Sequence, residues 1–91
     1  MTITEASQPS LAPHIVFRRD EARSRWVILA PERILVPDET AAEVVGMTDG
    51  VVTVAEIVDR LAVKYNAPRE EIADDVIEML QDLADQGYLA S

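Results

Sequence analysis

Apolar residues change their period midway along the chain, and the change divides it into a strand-forming half and a helix-forming half. Ile15, Val16 and Phe17 lie between polar neighbours, which predicts a short strand over 14–19. A charged turn follows at 20–24. The β-branched and aromatic run Arg25-Trp26-Val27-Ile28-Leu29-Ala30 predicts a second strand, and Arg33-Ile34-Leu35-Val36 predicts a third. Pro31 and Glu32 between them suit a hairpin turn. Pro37 has no N–H for a ladder, so the third strand ends there.

From Asp38 onward the spacing becomes helical. Thr40 with Glu43 has the capping-box spacing and predicts a short helix through Ala41, Ala42, Val44 and Val45, ending between Gly46 and Gly50. Thr53 with Glu56 repeats that spacing ahead of Val54, Ile57, Val58 and Leu61. Pro68 suits a first turn, and Glu70 and Glu71 suit the positive end of the helix dipole. Ile72, Ala73, Val76, Ile77, Leu80, Leu83 and Ala84 define one broad apolar face over about 18 residues. Gly87 fits the position just past the helix end, and Tyr88 and Leu89 follow as an anchor. The expected order is three strands, then three helices: an α+β domain with a three-stranded antiparallel sheet, winged helix-turn-helix-like in outline. Residues 1–13, with Ser7, Pro9, Ser10 and Pro13, read as a disordered tail or linker, and residues 14–91 as the domain.

Composition narrows the function. The 91-residue chain holds no cysteine, which removes disulfides, thiolate metal sites and a thiol nucleophile together. Serine occurs at 7, 10, 24 and 91, and His14 is the single histidine, so no nucleophile motif surrounds either type. Glycines at 46, 50 and 87 cannot make a phosphate loop. Asp74, Asp75, Glu78, Asp82 and Asp85 fall on a solvated helix face, which offers no desolvated acid for general acid–base work. Neither a catalytic centre, a resident cofactor nor a metal site is expected. No apolar stretch approaches the ~20 residues of a membrane span, and no signal-peptide pattern opens the chain. A cytoplasmic location is expected.

Net charge is −9 and unevenly spread. Residues 1–37 carry five arginines against four acids, and residues 38–91 carry three bases against thirteen. Residues 68–91 hold seven acids and Arg69 as their one base, so a winged-helix regulator reading fails on charge: that helix would repel phosphates. An acyl carrier fails too, since no serine lies between 25 and 90 to carry the prosthetic arm. What remains is an apolar hairpin beside an amphipathic helix. Consecutive apolar positions in both hairpin strands ask for cover on both faces. Burial of the sheet or a partner subunit would supply it, and so would a receptor groove at a free sheet edge. A homodimer is one partner state that such a hairpin leaves open.

Five ordered pieces resemble the PqqD family. They are Arg25-Trp26-Val27-Ile28-Leu29 with Pro31-Glu32; Asp38-Glu39-Thr40-Ala41-Ala42-Glu43 with Thr48-Asp49-Gly50; Thr53-Val54-Ala55-Glu56-Ile57 through Leu61 and Tyr65; Leu80-Gln81-Asp82-Leu83; and Gln86-Gly87-Tyr88-Leu89. Ala30 and Pro37 depart from the pattern, Pro37 by stiffening the strand exit. The resemblance implies a non-catalytic chaperone in the biosynthesis of pyrroloquinoline quinone. Such a domain binds the precursor peptide PqqA by strand addition and presents it to the radical SAM enzyme PqqE. It also implies a docking site on the third strand, at Arg33, Ile34, Leu35 and Val36, and on the third helix, at Asp75, Val76, Met79, Leu80 and Leu83. No nucleic-acid or membrane partner is implied, and the alternative is a winged-helix transcriptional regulator, which the charge disfavours, or another protein–protein adaptor.

Overall fold

A computed structural model describes residues 1–90 of the chain. Ser91, the last residue assigned to the domain, lies outside the described residues. The strands are β1 (Ser10–Leu11), β2 (Val16–Asp20), β3 (Arg25–Ala30), β4 (Arg33–Leu35) and β5 (Leu89–Ala90). The helices are α1 (Glu39–Gly46), α2 (Val54–Tyr65) and α3 (Arg69–Asp85). Strands β2, β3 and β4 form the expected antiparallel sheet in that order, and a two-stranded ribbon, β1 with β5, adds to it. All helices follow the sheet, as the change of period requires.

Local chemistry sets most boundaries. The Thr53 hydroxyl accepts from the Glu56 N–H at 3.1 Å, and the Glu56 carboxylate accepts from the Thr53 N–H at 3.3 Å, so the second capping box is formed. The first is not. Asp38 caps α1 instead, its Oδ1 accepting from the Ala41 N–H at 2.8 Å, because the extended exit through Pro37 places a better acceptor ahead of Thr40. Pro68 is the cap residue of α3 rather than part of its first turn. Gly87 takes the left-handed conformation (φ 83°) that ends α3.

The hairpin turn is tight. Ala30 pairs directly with Arg33, leaving Pro31 and Glu32 as the whole loop. Glu32 is held at φ 63°, where its Cβ crowds the backbone at a cost of about 1–2 kcal/mol. Glycine relieves that crowding but loses more chain entropy on folding. Glu32→Gly is therefore expected to stabilise the domain by about 0.5–1 kcal/mol, read as a higher urea midpoint at unchanged slope.

The disordered tail expected over 1–13 is corrected by the structure. Ile3 is 5% exposed, and Pro9 is among the most deeply buried side chains. The segment supplies acceptors to a helix end that would otherwise lack them: Ser7 O accepts from the Val54 N–H and Glu5 O from the Ala55 N–H, both at 2.9 Å. Gln81 on α3 accepts from the Ile3 N–H at 2.9 Å and donates to Met1 O at 2.8 Å. Arg69 joins Glu5 to Asp59, tying the segment to α2 and α3. Pairing of Leu11 with Leu89 then closes the ribbon over the chain ends.

Two clusters make the core. Val44, Val54, Ile57, Val58, Leu61, Ala73, Val76, Leu80 and Leu89 pack with Ile3 between the helices. Ala12, Ile15, Ile28, Val45 and Tyr88 pack between sheet and helices. Met79 and Leu83, half-buried, touch both clusters, so one face of α3 spans the core while its flank reaches toward the sheet.

Half-buried carboxylates give the fold an acid limit. Hydrogen bonds from Lys64 and Tyr65 hold Glu43 below its ordinary carboxylate range, and one from Arg69 does the same for Glu5. A lowered folded pKa gives stability that is present above the ordinary carboxylate value and lost as pH falls through the folded one. The apparent unfolding temperature is expected to fall as pH drops below the ordinary glutamate value of about 4.3, with Glu43→Gln flattening the fall.

Candidate functional site

Sheet order leaves β4 at an edge. It pairs with β3 through Arg33 opposite Ala30, Ile34 opposite Leu29 and Leu35 opposite Ile28. Among the described residues, no other backbone group hydrogen-bonds to this strand. The register also fixes which groups point outward. A two-residue loop closes on a hydrogen-bonded pair, so Arg33 and Leu35 direct their N–H and C=O groups inward to β3. Ile34 directs its own outward, and the same alternation carried one step on assigns Val36 to the free rim.

Side chains alternate across the same strand. Leu35 packs against the sheet–helix cluster together with Met79 and Leu83. Arg33, two residues earlier, shares its face, and its Nη1 donates to Gln86 Oε1 at the C-terminus of α3, 3.1 Å away. Ile34 lies on the opposite face and is 66% exposed; Val36 is 52% exposed. On that outer face Ile34, Leu29 and exposed Val16 form a cross-strand row. Arg18 and Arg25 flank it, along a shallow depression that also takes in Asp20 and Val27. An exposed Ile34 on an unpaired, uncharged strand centre is what edge strands ordinarily avoid.

The nine positions assigned to peptide contact therefore separate. Arg33, Ile34 and Leu35 make up the edge strand, with the outward main-chain groups at Ile34, and Val36 follows just beyond it. Met79 and Leu83 are half-buried on the flank of α3, and Asp75 is exposed. Val76 is 4% and Leu80 0% exposed, inside the cluster shared with Ile3, so in this conformation neither offers a surface to a guest. The helical period alone cannot divide the apolar face, because the N-terminal segment that covers part of it has the composition of a tail. Gln86 is a site residue that sequence reasoning misses. Its position just past α3 gives no chemical signal, and it matters only because the hairpin brings Arg33 to it.

A second feature is aromatic. Phe17 and Trp26 stack with centroids 4.8 Å apart, and Arg19 lies over the Trp26 ring at 5.8 Å. Trp26 is 39% exposed beside a cleft lined by Ala42, Gly46 and Glu39. Among the described residues no group of His, Cys, Asp and Glu could hold a metal ion. No described helix is long and apolar enough to cross a membrane.

Fold and edge together define a winged-helix-like α+β domain with an open strand beside its last helix. The family model described as coenzyme PQQ synthesis protein D (PqqD) matches residues 25–89, and the chain belongs to that family. It is 55% identical over 89 residues to the PqqA binding protein of Rhodopseudomonas palustris (strain BisB5), covering 98% of this chain and 87% of that one. The PqqA binding protein of Xanthomonas campestris pv. campestris (strain B100) is 40% identical over 82 residues, with 90% and 89% covered. The fold is similar to the solution structure of the PqqD truncation of Methylobacterium extorquens PqqCD, described as a functional, stand-alone recognition element for ribosomally synthesized and post-translationally modified peptides. The TM-score there is 0.82 at 33% identity, covering 99% and 96% of the two chains. The crystal structure of PqqD from Xanthomonas campestris gives 0.62 at 37% identity, covering 99% and 100%.

Proposed function

We propose that this chain is a non-catalytic chaperone of pyrroloquinoline quinone biosynthesis. It binds the PqqA precursor peptide as an added strand on β4 and presents it to the radical SAM enzyme PqqE in the cytoplasm. The observation that carries the reading is the unpaired rim at Ile34 and Val36, in a family whose relatives are named for binding PqqA. An extended peptide satisfies those orphan groups, and its alternate side chains reach Leu35, Met79 and Leu83 on one side and Ile34 on the other.

Magnitudes agree with transient capture. Four main-chain hydrogen bonds at about 1 kcal/mol net give ~4 kcal/mol. Burial of ~250 Å² of apolar surface adds about 6 kcal/mol. Ordering the peptide and losing its translational freedom remove several kcal/mol, which leaves about 6–7 kcal/mol, an affinity on the order of tens of micromolar. A guest held at that strength can be handed to an enzyme and released. Calorimetric titration of the purified chain with synthetic PqqA, alone and with PqqE, tests the role. One saturable site for PqqA and a ternary complex with PqqE are expected; absence of PqqA binding at hundred-micromolar concentrations sinks it.

A further inference from the structure

We propose that the outer face of the β2–β3–β4 sheet docks PqqE, meeting a patch of that enzyme that is apolar at its centre and bordered by carboxylates. The inference rests on the reading that the chain presents its guest to PqqE, and it gives that presentation a surface separate from the peptide edge.

Consecutive apolar residues in β3 and β4 ask for cover on both faces of the sheet, and only one face has it. Phe17, Ile28, Ala30 and Leu35 pack toward the helices. Their alternates Val16, Leu29 and Ile34 stand in register across the three strands on the opposite face. None of these three belongs to either core cluster. Val16 and Ile34 are 49% and 66% exposed, so the row is an apolar stripe left bare among the described residues.

Charge decides what can cover it. Arg18, Arg23 and Arg25 border the stripe on the side of the β2–β3 turn, against Asp20 alone. Asp20 is already engaged by Arg23 and Arg25, at 3.4 and 3.6 Å. At the other end, beside the β3–β4 turn, Glu32 and Arg33 offset one another. In a chain of net charge −9 this face is therefore locally cationic.

A second copy set face to face would oppose arginine to arginine. Nor is the face large enough for a stable dimer. Three strands ~4.8 Å apart and about five residues long present roughly 240 Å², far below the ~800 Å² that each partner of a standard interface buries. A guest strand added beside β4 lies three strand spacings, ~14 Å, from β2, and so stays short of Val16 and Arg18. What fits is a brief contact with a folded partner whose acidic rim is drawn to the arginines and whose apolar centre covers the stripe. Ile34 belongs both to the stripe and to the edge, so an enzyme seated there lies beside the bound guest.

Titration of the isotope-labelled intact chain with PqqE tests the surface. The amides of Val16, Arg18 and Leu29 are expected to broaden first. Arg18→Glu and Val16→Gln both lie on the strand farthest from the guest. They are expected to weaken PqqE about tenfold and about fivefold at low salt, and only the first loss should shrink at high salt. Affinity for PqqA should stay at the wild-type value in both, which also shows that they fold. Broadening confined to the helices, with wild-type PqqE affinity in both variants, overturns the surface and leaves presentation standing. Absence of any PqqE binding by the wild-type chain overturns presentation and the surface with it. If the Val16 and Arg18 amides respond instead to protein concentration or to PqqA alone, the stripe serves a second copy or the guest, and the proposal falls.

Discussion

Ile34→Pro is expected to weaken PqqA binding about tenfold or more while leaving the domain folded. The Ile34 N–H points away from β3, so a ring in its place removes a donor that the sheet itself does not use. The guest loses one main-chain bond and meets the ring where its carbonyl would lie. Leu35→Pro acts differently. That N–H belongs to the inward pair with Ile28, so its loss breaks the β3–β4 ladder and destabilises the fold. A binding defect in Leu35→Pro would then follow from damage to the strand. The pair of variants separates rim from ladder: isothermal titration reads the affinity, and urea unfolding reads the fold. Equal affinities for wild type and a folded Ile34→Pro protein would exclude this rim as the docking edge.

Leu80→Ala has the largest expected effect on stability, a loss of about 3–4 kcal/mol. Leu80 is fully buried within the cluster built from α2, α3, Val44, Ile3 and Leu89. Truncation leaves a cavity that Ala73 and Val76, on the same helix, are too constrained to fill. A domain of this length is stable by only ~5–14 kcal/mol, so one residue removes a large share. The variant is expected to bind PqqA with near-normal affinity per folded molecule once the unfolded fraction is allowed for. A direct loss of affinity in fully folded Leu80→Ala would instead mean that α3 opens its core side to the guest.

The two variants bear on how far the sequence can be read. The fold is legible because its signals are local: β-branched runs split by Pro31-Glu32, the Thr53–Glu56 box, and the long apolar face closed by Gly87. The edge is legible for the same reason, since consecutive strands pair as hairpins and the last one is left outside. The helix side is not. Helical spacing shows that Asp75, Val76, Met79, Leu80 and Leu83 cluster, but which of them face solvent depends on what else packs there. Ile3 and Leu11 decide that, from a segment whose serines and prolines resemble a linker. Their burial depends on long-range bonds to Val54, Ala55 and Gln81 that no local pattern encodes. Likewise, the choice of Asp38 over Thr40 as a cap turns on backbone shape at Pro37, which spacing alone does not settle.

Amide hydrogen exchange at single residues, with and without PqqA, tests the docking edge most directly. Strand addition at β4 requires the Ile34 and Val36 amides to exchange fast in the free protein and to slow on binding, while the Arg33 and Leu35 amides are already protected in the free state. If Ile34 exchanges equally fast in the saturated complex, or is already protected in the unbound monomer, the peptide is held somewhere other than this edge.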